Sequence, residues 1–371
     1  MIDVFEVADI IVEGVKNKYA EDIAIVAYYG SYAKGRANSK SDLDFFYIPD
    51  SKKKVDASFQ FILENIGFDF WPISWERAEN IAAFDEDLVD VIADAKILYG
   101  RSDKDLDRFN MLKAKIRTMC KPESKAAMVN KALSRLKDCY TYLYNIQMIT
   151  SEYDLAATRI EAHKITTTVL QSLALLNQTY FSGGWRQITK QLRQLKLKPN
   201  SLEQLLDCIL TQMSCHEIRR LCEELVSKTR EILISEQRTL LQKYEYDDIF
   251  KGFYEEAKAT FNKIVTACEG NDYYTAFFAS LRLQNEISNL LARTEDGVNY
   301  SDFNVYNEYR KTYESFGLPD LAKIIENGRL DTLRSAVISL DMRIKGILET
   351  HGVALNVFHS LEELRSSVES R

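Results

Sequence analysis

The chain has 371 residues, a formal net charge of −7 and a pI near 5.4, with 46% hydrophobic and 28% charged residues. That length admits two or three domains of roughly 100–200 residues each, and the composition is that of a folded protein, which excludes wholesale disorder. The acidic balance disfavours a dedicated duplex-DNA binder, whose affinity comes from neutralising phosphates with Lys and Arg. Five prolines and fourteen glycines argue for long helices over a turn-rich all-β fold.

The opening stretch, MIDVFEVADIIVEGVKNKY, carries acids early and reads as an amphipathic helix, not as an export signal. No run approaches the ~18 apolar residues of a membrane span. Six cysteines (Cys120, Cys139, Cys208, Cys215, Cys222 and Cys268) lie among apolar helical residues. A reduced, cytoplasmic protein with no membrane partner is therefore expected.

Ile23–Tyr29 (IAIVAYY) is a short apolar run ending at Gly30 and fits a buried strand. Asp44–Ile48 reads as a second strand stopped by Pro49, Phe59–Ile66 as a helix, Phe68–Ile73 as a strand, and Ala93–Gly100 as containing one more. This alternation predicts a small α/β or α+β unit. Beyond Gly100, apolar residues recur at three- and four-residue spacing. Helices are expected over Asp103–Met119, Ser124–Ser151, Ala156–Tyr180, Trp185–Leu197, Ser201–Lys228 with a break near Cys215, and Thr229–Leu241. A second helical set covers Tyr254–Glu269, Asp272–Thr294, Leu318–Asn327 and Leu330–His351. The expected organisation is an N-terminal domain at 1–102, a helical-bundle domain at 103–243 and a second helical domain at 244–371.

Chemistry concentrates in Tyr29-Gly-Ser-Tyr-Ala-Lys-Gly-Arg-Ala-Asn-Ser-Lys-Ser-Asp-Leu-Asp44. Asp42 and Asp44 open an apolar strand, and side chains at i and i+2 of a strand share a face, about 6.5–7 Å apart. Two carboxylates so placed can share a pair of Mg²⁺ ions about 3.5–4 Å apart, the arrangement for in-line nucleotidyl transfer. Gly30 lets the backbone approach a triphosphate, Ser31 offers a hydroxyl and an amide, and Lys34 and Arg36 could balance the charge of departing pyrophosphate. Asp69, in Gly67-Phe-Asp-Phe-Trp71, is the expected third carboxylate, since a lone acid in an apolar strand needs a metal or hydrogen-bond partner. Gly30-x4-Gly35 begins like a Walker A loop but continues Arg36-Ala37, so the Lys and Ser/Thr of that motif are absent.

The pattern hG[GS], about ten residues, then Dh[DE]h and a distant acid resembles the DNA polymerase beta-like nucleotidyltransferase superfamily. The GSx10DxD spacing is that of its minimal nucleotidyltransferases, and the whole is similar to kanamycin nucleotidyltransferase-like enzymes. Ile97-Leu-Tyr-Gly100 resembles the end of that domain, and Ala174-Leu-Leu-Asn-Gln-Thr-Tyr-Phe-Ser-Gly-Gly184 resembles a segment of the helical domain that follows it. The resemblance implies an α+β fold, a catalytic domain at 1–102 with a small mixed sheet followed by all-α helical-bundle domains, the first of which (103–243) binds the acceptor. It implies a Mg²⁺-dependent enzyme, with Asp42, Asp44 and Asp69 as metal ligands, moving NMP (AMP is expected) from an NTP to a hydroxyl of a small molecule. It also implies a general base from the helical domain, for which Glu161 in Thr158-Arg-Ile-Glu-Ala-His163 is the candidate. Two alternatives remain: AMP transfer to a protein, as in MNT-type antitoxin relatives, and a non-catalytic nucleotide-binding module.

Other residues carry weaker signals. Arg159 and His163 lie too close for the Arg-x4–6-His spacing of HEPN ribonucleases, so His163 is expected to be a helix imidazole and no more. Cys208, Cys215 and Cys222 would stand about 10.5 Å apart on a continuous helix, too far for one zinc ion, and are expected to be core residues. Arg186, Lys190, Arg193, Lys196 and Lys198 form a basic helix, more simply a solvated face than an anion site. The acids Asp85, Glu86, Asp87, Asp90 and Asp94 would suit a cationic acceptor, against the simpler reading of a solvated helix face.

Overall fold

The computed structural model describes residues 3–38, 41–50, 57–240, 244–297, 306–325 and 328–369. It divides into two compact units, Met1–Gln237 and Arg238–Arg371.

In the first unit, α1 (Val4–Lys18) starts where the Asp3 side chain accepts from the Phe5 amide, and it buries Val4, Val7, Ala8, Ile11, Val12 and Val15. These three- and four-residue steps put one apolar stripe on the sheet. The sheet has the order β3-β4-β2-β1-β5, built from β1 (Ile23–Tyr29), β2 (Asp44–Pro49), β3 (Phe59–Leu63), β4 (Ile66–Pro72) and β5 (Lys96–Gly100). A single turn, α2 (Gly30–Ala33), follows β1. β1 pairs antiparallel with β2 and β5, β2 pairs parallel with β4, and β3 pairs antiparallel with β4. The expected mixed sheet is present. Phe45, Tyr47, Phe68 and Phe70 face the core shared with α1, whereas Phe46 packs on Phe109 with ring centroids 6.2 Å apart. Both sides of β2 are thus buried, which is why it reads as an unbroken apolar run.

The helix expected over Phe59–Ile66 is a strand and a turn. Leu63 pairs with Ile66 across Glu64 and Asn65, both at positive φ (46° and 64°), a two-residue hairpin turn. Side chains of Phe61 and Phe68 stack across the pair at 5.0 Å. Strand pairing and aromatic contact override a helical reading of Phe-Ile-Leu-Glu-Asn.

Then come α3 (Trp75–Ala82), capped by Ser74, and α4 (Val89–Ala93). Ser102 caps α5 (Asp103–Met119), which carries Phe109. Arg101, just after β5, binds Asp105, Asp50 and the Glu21 carbonyl, tying α5 to the sheet. The helical part comprises α6 (Lys125–Gln147), α7 (Leu155–Leu176), α8 (Trp185–Gln194), α9 (Leu202–Thr211) and α10 (Cys215–Thr239). The chain does break before Cys215, but α10 runs on through Lys228 and Thr229 without interruption. Cys215 and Cys222 are buried as expected, while Cys208 is exposed, because its turn of α9 faces outward from Leu205 and Leu206.

The second unit is helical throughout: α11 (Tyr246–Phe250), α12 (Phe253–Glu269), α13 (Tyr273–Glu295), α14 (Arg310–Ser315), α15 (Leu321–Ile325), α16 (Leu330–Thr350) and α17 (Leu361–Glu369). α12, α13 and α16 supply most of its core, with Phe261, Ile287 and Leu340 fully enclosed. No described helix is long and apolar enough to cross a membrane.

Candidate active site

Sheet register brings the acids together. Tyr29 pairs with Asp44 on β2, and Phe45 pairs with Phe70 on β4, so Asp44 and Asp69 sit one step before that pair on adjacent parallel strands. Both project from the face opposite Phe45 and Phe70, which belong to the α1 core. Asp42 lies just before β2 with buried Leu43 between it and Asp44. Gly30 begins the turn opposite Asp44 with φ +78°, and a Cβ there would lie 2.1 Å from Asp44 Oδ2. The close approach therefore requires glycine.

The Asp44 carboxyl is pushed up to about 6, first by burial, then by the charges of Asp42, Asp69 and Asp90. The neighbouring Tyr29 hydroxyl is pushed up to about 12, by burial first and then by Asp44. No described Lys or Arg forms an ion pair with Asp42, Asp44 or Asp69. A carboxyl raised by its acidic neighbours, with no described cation on it or on Asp42 and Asp69, suits an added hard cation with oxygen ligands. Among the described residues, no three His, Cys, Asp or Glu side chains gather closely enough to form a ready-made metal cage. That is compatible with Mg²⁺, which is usually held by one or two carboxylates plus substrate phosphates.

Asp69 differs from its expected setting. It is exposed, alternating with buried Phe68 and Phe70, and accepts from Gln60 Nε2 at 2.7 Å. Its charge thus incurs little burial cost, because β4 has a wet side. Lys34 does not reach out from its loop. Its Nζ pairs with Asp90 at 3.2 Å and Asp94 at 3.0 Å, and its side chain is only 11% exposed. Arg36 is exposed, with its guanidinium beside Gly183 of the α7–α8 connection. Ser31 sits in α2, next to Gly30.

Glu161 has its described contact within its own helix. Its Oε1 accepts from Lys164 at 2.7 Å, its Oε2 is buried without a hydrogen-bond partner, and Lys164 lies over Tyr142 of α6. It is not among the leading charges acting on Asp44.

Beside the cluster lies a cavity of about 230 Å³ whose wall includes Phe84, Asp87, Asp90, Gln171, Tyr180 and Trp185. The five acids considered for a cationic acceptor are each already paired: Asp85 with Lys131, Glu86 with Arg77, Asp87 with Arg135, and Asp90 and Asp94 with Lys34. Sequence reasoning misses Gln60 altogether and sees Asp90 only as one acid of five. Asp90 and Asp94, four apart in an otherwise apolar helical stretch, are a signal for one shared partner; nothing in the sequence marks Gln60.

Residues 8–109 match the family described as Nucleotidyltransferase domain, and residues 106–239 match the KNTase C-terminal domain. Residues 8–239 belong to the polymerase beta-like nucleotidyltransferases. The nucleotidyltransferase domain thus contains the whole sheet and the acid cluster, and the KNTase-type region contributes Gln171, Tyr180 and Trp185 to the cavity. Among solved structures, a nucleotidyltransferase-like protein from Exiguobacterium sibiricum 255-15 is 10% identical, at TM-score 0.34, over 68% of this chain and 87% of that one. That likeness is too remote to carry positions across. No curated protein matches. Both domain families point to transfer of a nucleoside monophosphate.

Proposed function

We propose that this nucleotidyltransferase moves NMP, with AMP the expected nucleotide, from an NTP to a hydroxyl of a small molecule and releases pyrophosphate. The observation that carries this reading is the convergence of Gly30, Asp42, Asp44 and Asp69 at one end of the sheet, with the Asp44 carboxyl pushed up to about 6. Asp42 and Asp44 would hold two Mg²⁺ ions, with Asp69 on one of them. Bound Mg²⁺ would supply charge stabilisation to the α-phosphate and the departing pyrophosphate.

The protein's own residues divide the remaining work. Gly30 and Ser31 admit the phosphates to the β1 end. Gln60 fixes the orientation of Asp69 by a hydrogen bond to one carboxylate oxygen. Lys34, neutralised by two carboxylates, anchors the phosphate loop to α4, a role in place of direct phosphate contact; Arg36 remains the loop cation open to solvent.

We place the acceptor in the cavity beside Asp90, which both matched domain families line and which suits a small molecule. Asp90 gives one oxygen to Lys34 and has the other free of described partners. We assign to it, in preference to Glu161, acceptance of the hydroxyl proton as the acceptor oxygen bonds to the α-phosphorus. The bond from that phosphorus to the β-phosphate oxygen breaks, and pyrophosphate leaves with the electron pair.

Incubation with α-labelled ATP, Mg²⁺ and a panel of hydroxylated metabolites is the direct test. Label should appear on a small molecule, and Asp42→Asn or Asp44→Asn should lower pyrophosphate release by at least about 10²–10³-fold, the scale of losing a transition-state charge partner. Undiminished release in either variant overturns the assignment, and label on protein would transfer it to the protein-modifying alternative.

A further inference from the structure

α8 covers a second cavity that nucleotidyl transfer leaves unused. Trp185, Ile188 and Leu192 lie on one side of this helix and Arg186 and Lys190 on the other, yet Leu192 is its one buried residue. Trp185 remains 52% exposed. Beneath it, facing sides of α7, α8 and α9 enclose about 490 Å³. Ala162, Leu170, Leu192, Leu206 and Ile209, all buried, make its floor. A pocket of this size with an apolar floor and a few polar groups at the edge has the make-up of a small-molecule site.

The edge carries two arginines and two carboxylates. Arg159, Arg193, His163, Glu203 and Asp207 line it. Glu203 is bound to Lys198 at 2.7 Å, and Lys198, ahead of other causes, holds its carboxyl below the usual range. Asp207 is exposed. Arg159 uses one guanidinium nitrogen, on the Gln212 carbonyl and the Met213 sulfur at 3.3 Å each. No described residue hydrogen-bonds Arg193. Lys198, outside the lining, takes up Glu203, so of the lining charges the two guanidinium groups retain free donors over an apolar floor, with exposed Asp207 as the acid in no described ion pair. A guanidinium pair suits a carboxylate or sulfonate better than an ammonium does, because its planar fork matches the oxygen spacing.

We infer that the α7–α8–α9 cavity binds an apolar molecule bearing a single anionic group, with its body among the leucines and its anion between Arg159 and Arg193. Leu170 and Trp185 also line the cavity beside Asp90, so an occupant would be registered at Trp185, which stands between the two. The site does not depend on the transferase reading.

The test uses the full chain with decanoate as probe and decanol and decylammonium as controls, below their micelle concentrations, followed by calorimetry and by Trp emission. Decanoate should bind one-to-one, at least tenfold more tightly than either control, and shift an emission component that is missing in Trp185→Phe. Arg159→Gln with Arg193→Gln should weaken decanoate tenfold or more and leave decanol unchanged; both sites are exposed, and circular dichroism checks the fold. Asp44→Asn should bind decanoate as the wild type does, which separates this site from catalysis. Absence of decanoate binding, equal binding of decylammonium, or an unaffected double variant overturns the inference.

Discussion

Removing one charge from the acid cluster should make the metal-free protein more stable at alkaline pH and leave it unchanged in acid. Asp44 titrates at about 6 in the folded chain against an ordinary aspartate value of 3.8, a rise of about two units. At ~1.4 kcal/mol per unit the ceiling is ~3 kcal/mol; Asp44 is only partly buried, and solvent screening reduces this to ~1–2 kcal/mol. The folded state holds the proton more tightly than the unfolded state. The associated stability is therefore complete below about pH 4 and is lost as pH rises through about 6. Asp44→Asn has no such loss, so at pH 8 in EDTA it should melt ~2–8 °C above the wild type, with the gap closing toward pH 4. Trp71, Trp75 and Trp185, the three tryptophans of the chain, all lie in the Met1–Gln237 unit, so their emission follows the relevant transition. Mg²⁺ should raise the melting temperature of the wild type at pH 8 and leave the variant unmoved. An equal difference at pH 4 and pH 8, or a variant that melts lower at pH 8, would refute the electrostatic account.

Three further outcomes are expected. Gly30→Ala places a methyl against Asp44 Oδ2 and a non-glycine residue at φ +78°, so it should cost ~1–2 kcal/mol or more in urea unfolding and abolish pyrophosphate release. Lys34→Met leaves Asp90 and Asp94 facing one another without their cation and should destabilise by ~1–3 kcal/mol; adding Asp94→Asn should recover part of that loss, and no recovery would show that the pair is not the cause. Arg101→Ala removes the group that joins Asp50 on the sheet to Asp105 on α5, and its urea midpoint should fall by the equivalent of ~2–3 kcal/mol with an unchanged slope.

Local pattern and long-range pairing contribute unequally to what can be read in advance. β1 and β2 are visible because both are apolar runs closed by Gly30 and Pro49, and α1 because its buried positions recur at helical spacing. The two acids of β2 and the glycine that faces them lie within fifteen residues, so their convergence needs only one hairpin-like return. β3 reads wrongly as a helix because its turn uses Glu64-Asn65 without glycine, and Phe59, Ile62 and Leu63 stay exposed, which blurs strand alternation. Lys34 resembles a phosphate ligand because its partners lie more than fifty residues further along. For Glu161 the residue type on a helix is legible, whereas nothing in one sequence states which side of α7 meets α6.

The strand order also has a consequence for how the chain is made. β2, β3 and β4 are complete by Pro72, and β1 already has β2 on one side, but its other side waits for β5, where Tyr28 pairs with Lys96. During N-to-C synthesis the apolar run Ile23–Tyr29 therefore presents an open edge until Gly100 has emerged. Growth of the nascent chain closes the barest edge of the sheet last, and Arg101, the residue that follows, then bonds Asp50 and the Glu21 carbonyl and fastens it.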